Sequence, residues 1–193
     1  GGQTIARCVN TGNIAAVGSS GVAAGLFRYA STIPDRYEGL HTIRSCQNDG
    51  NVTGPGGAGG IAGECYKGWR GIGCSNSGYI KAESGYAAGI AYYMTRSDLL
   101  DCDNNGTIEN GAGIACFVEC GGSIQRCSNK GEIIIRKKYC QIGGIAGCVI
   151  KENGDANPFE IADCYNAGKI TIDKTVEECS AGGIVGYMKL YDV

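Results

Sequence analysis

The sequence is poor in several residues on which enzymes depend, with only one histidine, one tryptophan and three prolines in 193 residues. An activated thiol needs a neighbouring base, and His41 is the only histidine that could serve as one. We predict that it lies in a loop and has no catalytic role. The cysteines lack the paired C-x-x-C spacing that is typical of zinc sites. The sequence therefore predicts no catalytic residue, no metal site and no cofactor.

Long apolar runs and excess charge are missing as well. No stretch approaches the roughly 20 consecutive apolar residues of a transmembrane helix. The net charge of −2 comes from 17 basic and 19 acidic residues. That balance gives no electrostatic basis for binding nucleic acid or an anionic membrane. The one local exception, Arg136-Lys137-Lys138, is predicted to be a solvated loop. We expect no nucleic-acid partner and no membrane insertion within this segment.

Glycine and cysteine are abundant instead, with 34 glycines and 12 cysteines. Six cysteines open the same phrase, C-x-N-x-G-x-[IV], at intervals of 38, 28, 28, 25 and 37 residues. A glycine-rich phrase alternates with it, best preserved as GGIAG or GGIVG at Gly59, Gly143 and Gly182. A catalytic cysteine occurs once, whereas six copies indicate architecture. The repeated cysteine and asparagine pairs are Cys8 and Asn10, Cys46 and Asn48, Cys74 and Asn76, Cys102 and Asn104, Cys127 and Asn129, and Cys164 and Asn166.

The spacing inside the first phrase is that of a strand, since Cys, Asn, Gly and Ile/Val lie two residues apart on one face. Its Asn-x-Gly centre indicates a bend, because both residues tolerate positive φ. An apolar residue usually stands three positions before the cysteine, and this odd offset indicates a corner. The second phrase is predicted to be a short apolar strand. About three short strands and tight bends, repeated every ~28 residues, describe one coil of a β-solenoid.

We therefore predict an all-β fold, a parallel β-helix or β-solenoid of about six coils, forming a single domain over residues 1–193. Like strands of adjacent coils would pair in parallel at ~4.8 Å, so the repeated cysteines and asparagines would form ladders. Right-handed winding is the default for parallel crossovers. Two thinner rungs per repeat are an alternative that the sequence leaves open. Both ends interrupt the repeat, and we expect a segment of a longer protein.

These phrases resemble the GLUG repeat of bacterial surface proteins. The resemblance covers residues 5–186 and is clearest in the GGIAG phrases at Gly59 and Gly143, in GGIVG at Gly182 and in the stretch CYNAGKI from Cys164. It implies a structural or adhesive role in large secreted or wall-attached, adhesin-like proteins. The family has no shared catalytic residues, so the resemblance transfers none to this chain.

The cysteines divide into two groups. The six repeat cysteines would form an inward stack of packed thiols, since Cys behaves as a small buried hydrophobe. Parallel Cβ vectors keep stacked Cβ atoms near ~4.8 Å, beyond the ~3.8 Å that disulfides prefer, although some pairs could bond after local adjustment. Cys140 and Cys179 both stand four residues before a phrase-two glycine. They should be neighbours in adjacent coils and are the best disulfide candidate.

Two features could contact a ligand. Four residues after the phrase-two glycine, aromatic side chains occur in four of the six repeats, namely Tyr29, Tyr93, Phe117 and Tyr187. Such a column would stabilise the array by stacking, or an exposed strip could bind sugar rings. Two insertions, residues 31–38 and 151–160, would project at one corner as a ligand-facing rim or as tolerated surface loops.

Taken together, the sequence predicts a structural or adhesive repeat module of a secreted or cell-surface bacterial protein, without catalysis. Its partner would be a protein or glycan of a host or neighbouring cell, or another copy stacked on the terminal coils. The alternatives are a carbohydrate-binding solenoid that uses the aromatic column and a polysaccharide-degrading β-helix enzyme. An enzyme of that kind needs clustered acids or bases in a groove.

Overall fold

A computed structural model describes residues 2–31, 41–151 and 159–191. Both predicted insertions lie largely outside these residues. Every regular element within the described ranges is a β-strand, which confirms the predicted all-β class. In this part of the chain, no helix is long and apolar enough to cross a membrane.

The described residues form 28 strands, which follow the repeat from one cysteine to the next. After β1 (Thr4–Ala6), the first coil contains β2 (Val9–Asn10), β3 (Ile14–Ala15), β4 (Val22–Ala24), β5 (Phe27–Ser31) and β6 (His41–Arg44). The second contains β7 (Gln47–Asn48), β8 (Val52–Gly54), β9 (Gly57–Gly59), β10 (Ala62–Tyr66) and β11 (Trp69–Ile72). The third contains β12 (Ser75–Asn76), β13 (Ile80–Ala82), β14 (Tyr86–Ala88) and β15 (Ala91–Leu100).

The fourth coil contains β16 (Asp103–Asn104), β17 (Ile108–Glu109), β18 (Gly111–Ala112) and β19 (Ala115–Gln125). The fifth contains β20 (Ser128–Asn129), β21 (Ile133–Ile135), β22 (Cys140–Gly143), β23 (Ala146–Lys151) and β24 (Phe159–Ala162). The sixth contains β25 (Tyr165–Asn166), β26 (Ile170–Ile172), β27 (Cys179–Gly182) and β28 (Val185–Leu190). A coil thus has four or five strands, more than the three that the sequence predicted.

Consecutive repeats are consecutive coils, and their equivalent strands pair in parallel. Asn48 pairs with Asn10 of the coil before it and with Asn76 of the coil after it. The strands that hold the repeated asparagines form a six-stranded sheet in the order β2-β7-β12-β16-β20-β25. The predicted parallel β-solenoid is confirmed, and the alternative of two rungs per repeat is wrong. The right-handed winding stays a prediction.

The corner of each coil lies immediately before the repeated cysteine. The preceding residue has φ between 52° and 58° in all six coils, which is the left-handed region; these residues are Arg7, Ser45, Gly73, Asp101, Arg126 and Asp163. The odd offset of the apolar residue correctly predicted this corner. The predicted bend at the Asn-x-Gly centre is confirmed, since the glycine of each copy lies in a bend, but none of those asparagines and glycines has positive φ. Glycine is needed there for space: a Cβ on Gly106 would lie 2.0 Å from the Gly78 carbonyl oxygen.

The second phrase is a corner rather than the single strand that its sequence predicted. In the second coil, β9 ends at Gly59 and β10 begins at Ala62, so Gly60 and Ile61 form the bend. The glycine at this corner lies against the repeated asparagine of the following coil. A Cβ on Gly113 would lie 2.6 Å from the Cβ of Asn129. The two phrases therefore recur together because a glycine in one leaves room for the asparagine of the other.

Candidate functional site

The repeated asparagines form a continuous chain of amide hydrogen bonds along the solenoid. Each Nδ2 donates to the Oδ1 of the asparagine in the next coil at 2.7 to 2.8 Å, from Asn10 to Asn166. Its second N–H donates to the carbonyl of the glycine two residues later, as from Asn104 to Gly106 at 2.9 Å. The four inner asparagines are fully buried. Because buried amides are costly when unpaired, this ladder fixes the register of every coil.

The repeated cysteines form a second ladder, in which all six thiols are free. Cys102 Sγ donates to the Leu100 carbonyl at 3.3 Å, and Cys127 Sγ lies 3.3 Å from the Gln125 carbonyl. The four inner members, Cys46, Cys74, Cys102 and Cys127, are buried, whereas Cys8 is exposed and Cys164 half-buried. Burial raises the pKa of the Cys46 thiol. Hydrogen bonding with the Cys102 thiol lowers the pKa of its neighbours Cys74 and Cys127. All four inner thiols lie in one hydrophobic core cluster, and this position suits packing.

The structure brings Cys140 and Cys179 together and joins them by a disulfide. They are register partners in β22 and β27, with their Cα atoms 4.6 Å apart. Outside the ladder and this bond, Cys65, Cys116 and Cys148 are buried and take part in no disulfide. Burial raises the pKa of Cys65 to about 12 and that of Cys148 to about 11. The bond links the fifth and sixth coils at the first residues of β22 and β27, the strands that lead into phrase two.

The basic run that was predicted to be a solvated loop is held against the solenoid. Arg136 Nη1 lies 2.6 Å from Glu109 Oε2, and Lys138 Nζ lies 2.6 Å from Glu177 Oε1. The Lys137 ammonium lies 4.0 Å from the ring centroid of Tyr86 and donates to backbone carbonyls of the third coil. We call residues 136–139 the strap. The predicted loop is confirmed, and Arg136 and Lys138 are exposed, but the charged side chains of this loop also pair with specific groups of the solenoid.

Glu109 anchors the strap from a buried position. Its side chain is only 5% exposed, and it also pairs with Lys81 Nζ at 3.3 Å and accepts a hydrogen bond from the Tyr79 hydroxyl. Burial by itself would raise the pKa of the Glu109 carboxyl, but the Tyr79 hydroxyl and the two cations outweigh it and lower the pKa. Burial raises the pKa of Tyr79 to about 12. The Glu109 carboxylate thus interacts with Arg136, Lys81 and the Tyr79 hydroxyl. Such a set of contacts suits a structural anchor.

The residues of the predicted aromatic column lie in one row of register partners. Glu64 pairs with Tyr29 on one side and Tyr93 on the other, and Tyr93 pairs with Phe117. Cys148 follows Phe117, and Tyr187 follows Cys148. We call these six residues the aromatic column. Glutamate and cysteine interrupt it, so its aromatic side chains do not form one uninterrupted row.

Tyr66, two residues along the strand from Glu64, fills the first of these gaps. Its ring centroid lies 5.4 Å from that of Tyr29 and 5.3 Å from that of Tyr93, at angles of 40° and 37°. Tyr93 continues the contact to Phe117 at 6.4 Å, and its hydroxyl donates to Glu119 Oε2 at 2.5 Å. The rings face one another along the axis, although Tyr29 at the end is 56% exposed. Tyr66 lies outside the position that repeats from coil to coil, so the sequence pattern did not identify it as part of this stack.

His41 lies in strand β6, and the prediction that it is a loop residue is wrong. Its ring stacks on Trp69 at 5.0 Å, and Trp69 stacks on Phe27 at 5.9 Å. Its Nδ1 accepts a hydrogen bond from the Gln3 backbone N–H at 3.3 Å. Within the described residues, no group of three or more His, Cys, Asp or Glu side chains could hold a metal ion. The neighbours of His41 are those of a packed aromatic side chain.

Comparisons with known proteins bear on the fold. No protein-family model matches the chain, and no curated protein matches it. Among solved structures, the chain is similar to the 1.30 Å crystal structure of a putative immunoglobulin A1 protease from Bacteroides ovatus. The two share a fold. The TM-score is 0.61 at 15% sequence identity, and the match covers 98% of this chain and 65% of the Bacteroides ovatus protein. At this identity, the likeness extends to the fold alone.

Proposed function

We propose that this chain is a structural and adhesive repeat module of a secreted or cell-surface bacterial protein, as its resemblance to GLUG repeats implies. One observation carries the proposal: the side chains that recur in every repeat are engaged with the neighbouring coils. The asparagine amides hydrogen-bond along the stack, and the repeated cysteines pack beside them. A repeat whose common residues serve its own stacking builds a stiff scaffold and leaves the variable outward residues to bind partners.

The disulfide supports the proposed location. Disulfides persist in oxidising compartments and are rare in the reducing cytosol of mesophiles, and Cys140 and Cys179 are bonded in β22 and β27. The solenoid fold is also that of a Bacteroides ovatus protein described as a putative immunoglobulin A1 protease. Both observations favour a module that works outside the cytoplasm.

The partner proposed for the module is a protein or glycan on the surface of a host or neighbouring cell. The test is adhesion of beads that carry the 193-residue chain to epithelial and bacterial cells, compared with beads that carry an unrelated β-solenoid of equal length. Specific retention that soluble chain competes away supports adhesion. Equal retention of both bead types would contradict the adhesive part of the proposal and leave the structural part unaffected.

We further propose that the module itself does not catalyse a reaction. Burial raises the pKa of the Cys65 thiol to about 12 and that of the Cys148 thiol to about 11, and His41 is packed against Trp69. Because the similar Bacteroides ovatus protein is described as a protease, the direct assay is incubation of the chain with immunoglobulin A1 and with an unstructured protein. Cleavage that persists after repurification would contradict this part of the proposal.

A carbohydrate-binding surface is the second candidate, and the partly exposed Tyr29 favours it. The close ring contacts between Tyr29, Tyr66 and Tyr93 argue for stacking within the solenoid instead, since each ring covers part of its neighbour. A glycan array with the wild-type chain and the Tyr29→Ala variant decides between them. Binding that the variant loses supports carbohydrate recognition, whereas an array without binding counts against it.

A further inference from the structure

A pocket beside the strap is lined by residues of three coils. Its volume is about 250 Å³, and we call it the strap pocket. Its walls are Tyr86 of the third coil, Tyr139 and Gln141 of the fifth, Glu178 and Ser180 of the sixth, and the Cys140–Cys179 disulfide. A pocket that reaches from the third coil to the sixth runs along the side of the stack. It therefore depends on contacts between coils and not on an exposed end of the solenoid.

The strap and the disulfide fix the shape of this pocket. The Tyr86 hydroxyl donates to the Tyr139 backbone carbonyl at 2.9 Å, which ties the third coil to the strap. Gln141 and Ser180 are register partners in β22 and β27, one residue after the two bonded cysteines. Because these positions are held before a ligand arrives, little of the binding energy is lost in ordering the pocket.

Three polar side chains of the strap pocket lack a partner among the described residues. The Gln141 amide, the Glu178 carboxylate and the Ser180 hydroxyl form no hydrogen bond or ion pair within that part of the chain. The neighbouring Glu177, by contrast, pairs with Lys138 at 2.6 Å. The wall also contains the aromatic side chain of residue 139, which is 63% exposed. A few convergent polar groups beside an aromatic ring are typical of a small-molecule site.

The chemistry of these groups selects against charged ligands. The Glu178 carboxylate would repel an anion, and each of the three cations of the strap already has a partner. An ammonium group only donates hydrogen bonds, so it would leave the amide hydrogens of Gln141 unused. A hydroxyl both donates and accepts, and it suits the amide, the carboxylate and the Ser180 hydroxyl together. The apolar face of a sugar ring in turn suits the exposed ring of Tyr139.

We propose that the strap pocket binds one uncharged pyranose ring of a glycan. Glu178, Gln141 and Ser180 hydrogen-bond to its hydroxyls, and Tyr139 packs against its face. The volume of about 250 Å³ lies just below the roughly 300–1,000 Å³ of pockets for drug-sized ligands, so it fits a single ring. The site rests on the proposed adhesive function, because it gives the glycan partner of that function a place to bind.

The test is titration of the 193-residue chain with the methyl glycosides of glucose, galactose, mannose and N-acetylglucosamine at millimolar concentrations, followed by NMR. At least one glycoside should bind and shift the backbone amide signals of Gln141 and Ser180. Methyl glucuronide should bind at least about tenfold more weakly than that glycoside, because its carboxylate would lie beside that of Glu178.

Variants of the pocket assign the binding to its side chains. Glu178→Ala should weaken binding about tenfold or more, as expected for lost hydrogen bonds to a charged group. Tyr139→Ala should weaken it about threefold or more through the lost ring contact, and it keeps the backbone carbonyl that accepts from Tyr86. The matched controls, Glu160→Ala and Tyr29→Ala, remove an exposed carboxylate and an exposed ring outside the pocket. Both should bind the sugar like the wild type.

Several results overturn the proposal. If none of the four glycosides binds, or if both pocket variants bind as the wild type does, the pocket is not a sugar site. Loss of binding in Tyr29→Ala alone would place the sugar at the aromatic column, and a preference for methylamine would identify a cation site instead. Should a variant fail to fold, the amide signals of Gln141 and Ser180 in the wild type still decide, because a sugar bound elsewhere leaves them unshifted.

Bead adhesion separates the strap pocket from the adhesive function. If beads that carry Glu178→Ala adhere to cells as the wild type does, the adhesive function stands and the pocket is wrong as its site. If the glycoside binds in the pocket while beads that carry the wild-type chain are not retained, the pocket is supported and the adhesive function is contradicted.

Discussion

The asparagine ladder gives the sharpest test of how the coils are held together. In the Asn104→Asp variant the side chain keeps its shape but an ionised carboxylate has no hydrogen to donate. Asn104 donates to Asn129 Oδ1 at 2.7 Å and to the Gly106 carbonyl at 2.9 Å, and it accepts from Asn76 Nδ2 at 2.8 Å. The carboxylate could keep only the hydrogen bond that it accepts from Asn76 Nδ2. It would face two buried acceptor oxygens, Asn129 Oδ1 and the Gly106 carbonyl, without a hydrogen to donate to either.

The expected loss follows from those contacts. Leaving a buried polar group unpaired costs about 1–3 kcal/mol, so two unpaired acceptors lower the free energy of unfolding by roughly 2–6 kcal/mol. That is a large part of the roughly 5–15 kcal/mol that stabilises a typical domain. For a chain of this size, each 1 kcal/mol lowers the melting temperature by about 2–4 °C. We expect clear destabilisation in urea or thermal unfolding followed by far-UV circular dichroism.

The pH dependence separates this mechanism from a simple loss of packing. Burial and the facing oxygens raise the folded-state pKa of the new carboxyl above its unfolded value of about 3.9. The folded state therefore binds the proton more tightly, and the penalty is largest above the folded pKa and shrinks as pH falls through it. A protonated Asp donates one hydrogen bond, so about half of the penalty, roughly 1–3 kcal/mol, should be recovered.

Asn51→Asp is the matched control for this measurement. Asn51 is exposed and its Oδ1 accepts from the Tyr79 backbone N–H at 3.2 Å, a role that a carboxylate retains. Its free energy of unfolding should stay within about 0.5 kcal/mol of the wild type, as for ordinary surface changes. Equal stability of the two variants, or a penalty in Asn104→Asp that does not change with pH, would refute the reasoning about the ladder.

Three further outcomes follow from the geometry of glycine and cysteine. Gly113→Ala places a Cβ 2.0 Å from the Gly144 carbonyl oxygen, and it should lower the free energy of unfolding by about 1–3 kcal/mol or more. Gly183→Ala is the matched control, because a Cβ at this equivalent position of the last coil meets no atom within 4 Å. In the same urea titration it should be nearly neutral. Thiol titration of the unfolded, unreduced chain should give ten free thiols, since 12 cysteines include one bonded pair; twelve would disprove the Cys140–Cys179 bond and fewer would reveal others. Because that bond spans 39 residues, reduction should lower the free energy of unfolding by about 4 kcal/mol in the loop-entropy account, and an unchanged urea midpoint after confirmed reduction would contradict it.

Most of the fold could be predicted because each repeat states the same pattern independently. Alternation within the phrase C-x-N-x-G-x-[IV] identified the inward side chains, and the steps of 28 residues between Cys46, Cys74 and Cys102 fixed which residues stack. The register partners Asn48, Asn76 and Asn104 follow directly from that count. Parallel pairing of like strands then needs no information beyond the repeat.

The parts that could not be predicted depend on contacts between different repeats or on backbone geometry without a residue signature. The left-handed corner is occupied by Arg7 in the first coil, by Ser45 in the second and by Gly73 in the third, so no single residue type marks it. The strap binds Tyr86, some 50 residues earlier in the chain. The charges of residues 136–138 alone indicated a solvated loop. The sequence does not show that the fold brings the buried Glu109 next to Arg136.

The division between inward and outward residues determines where any binding specificity can lie. The inward asparagines are identical in all six coils, because each must both donate to and accept from its neighbours. Immediately beside them lies a column of register partners that differ from coil to coil, and Gln47, Ser75, Asp103 and Tyr165 of this column reach the surface. Changes in such columns alter the surface without breaking the ladder, so a solenoid of this kind can vary its partners while its scaffold stays the same. A partner of this module should therefore be sought along the outward columns rather than at the repeated cysteines.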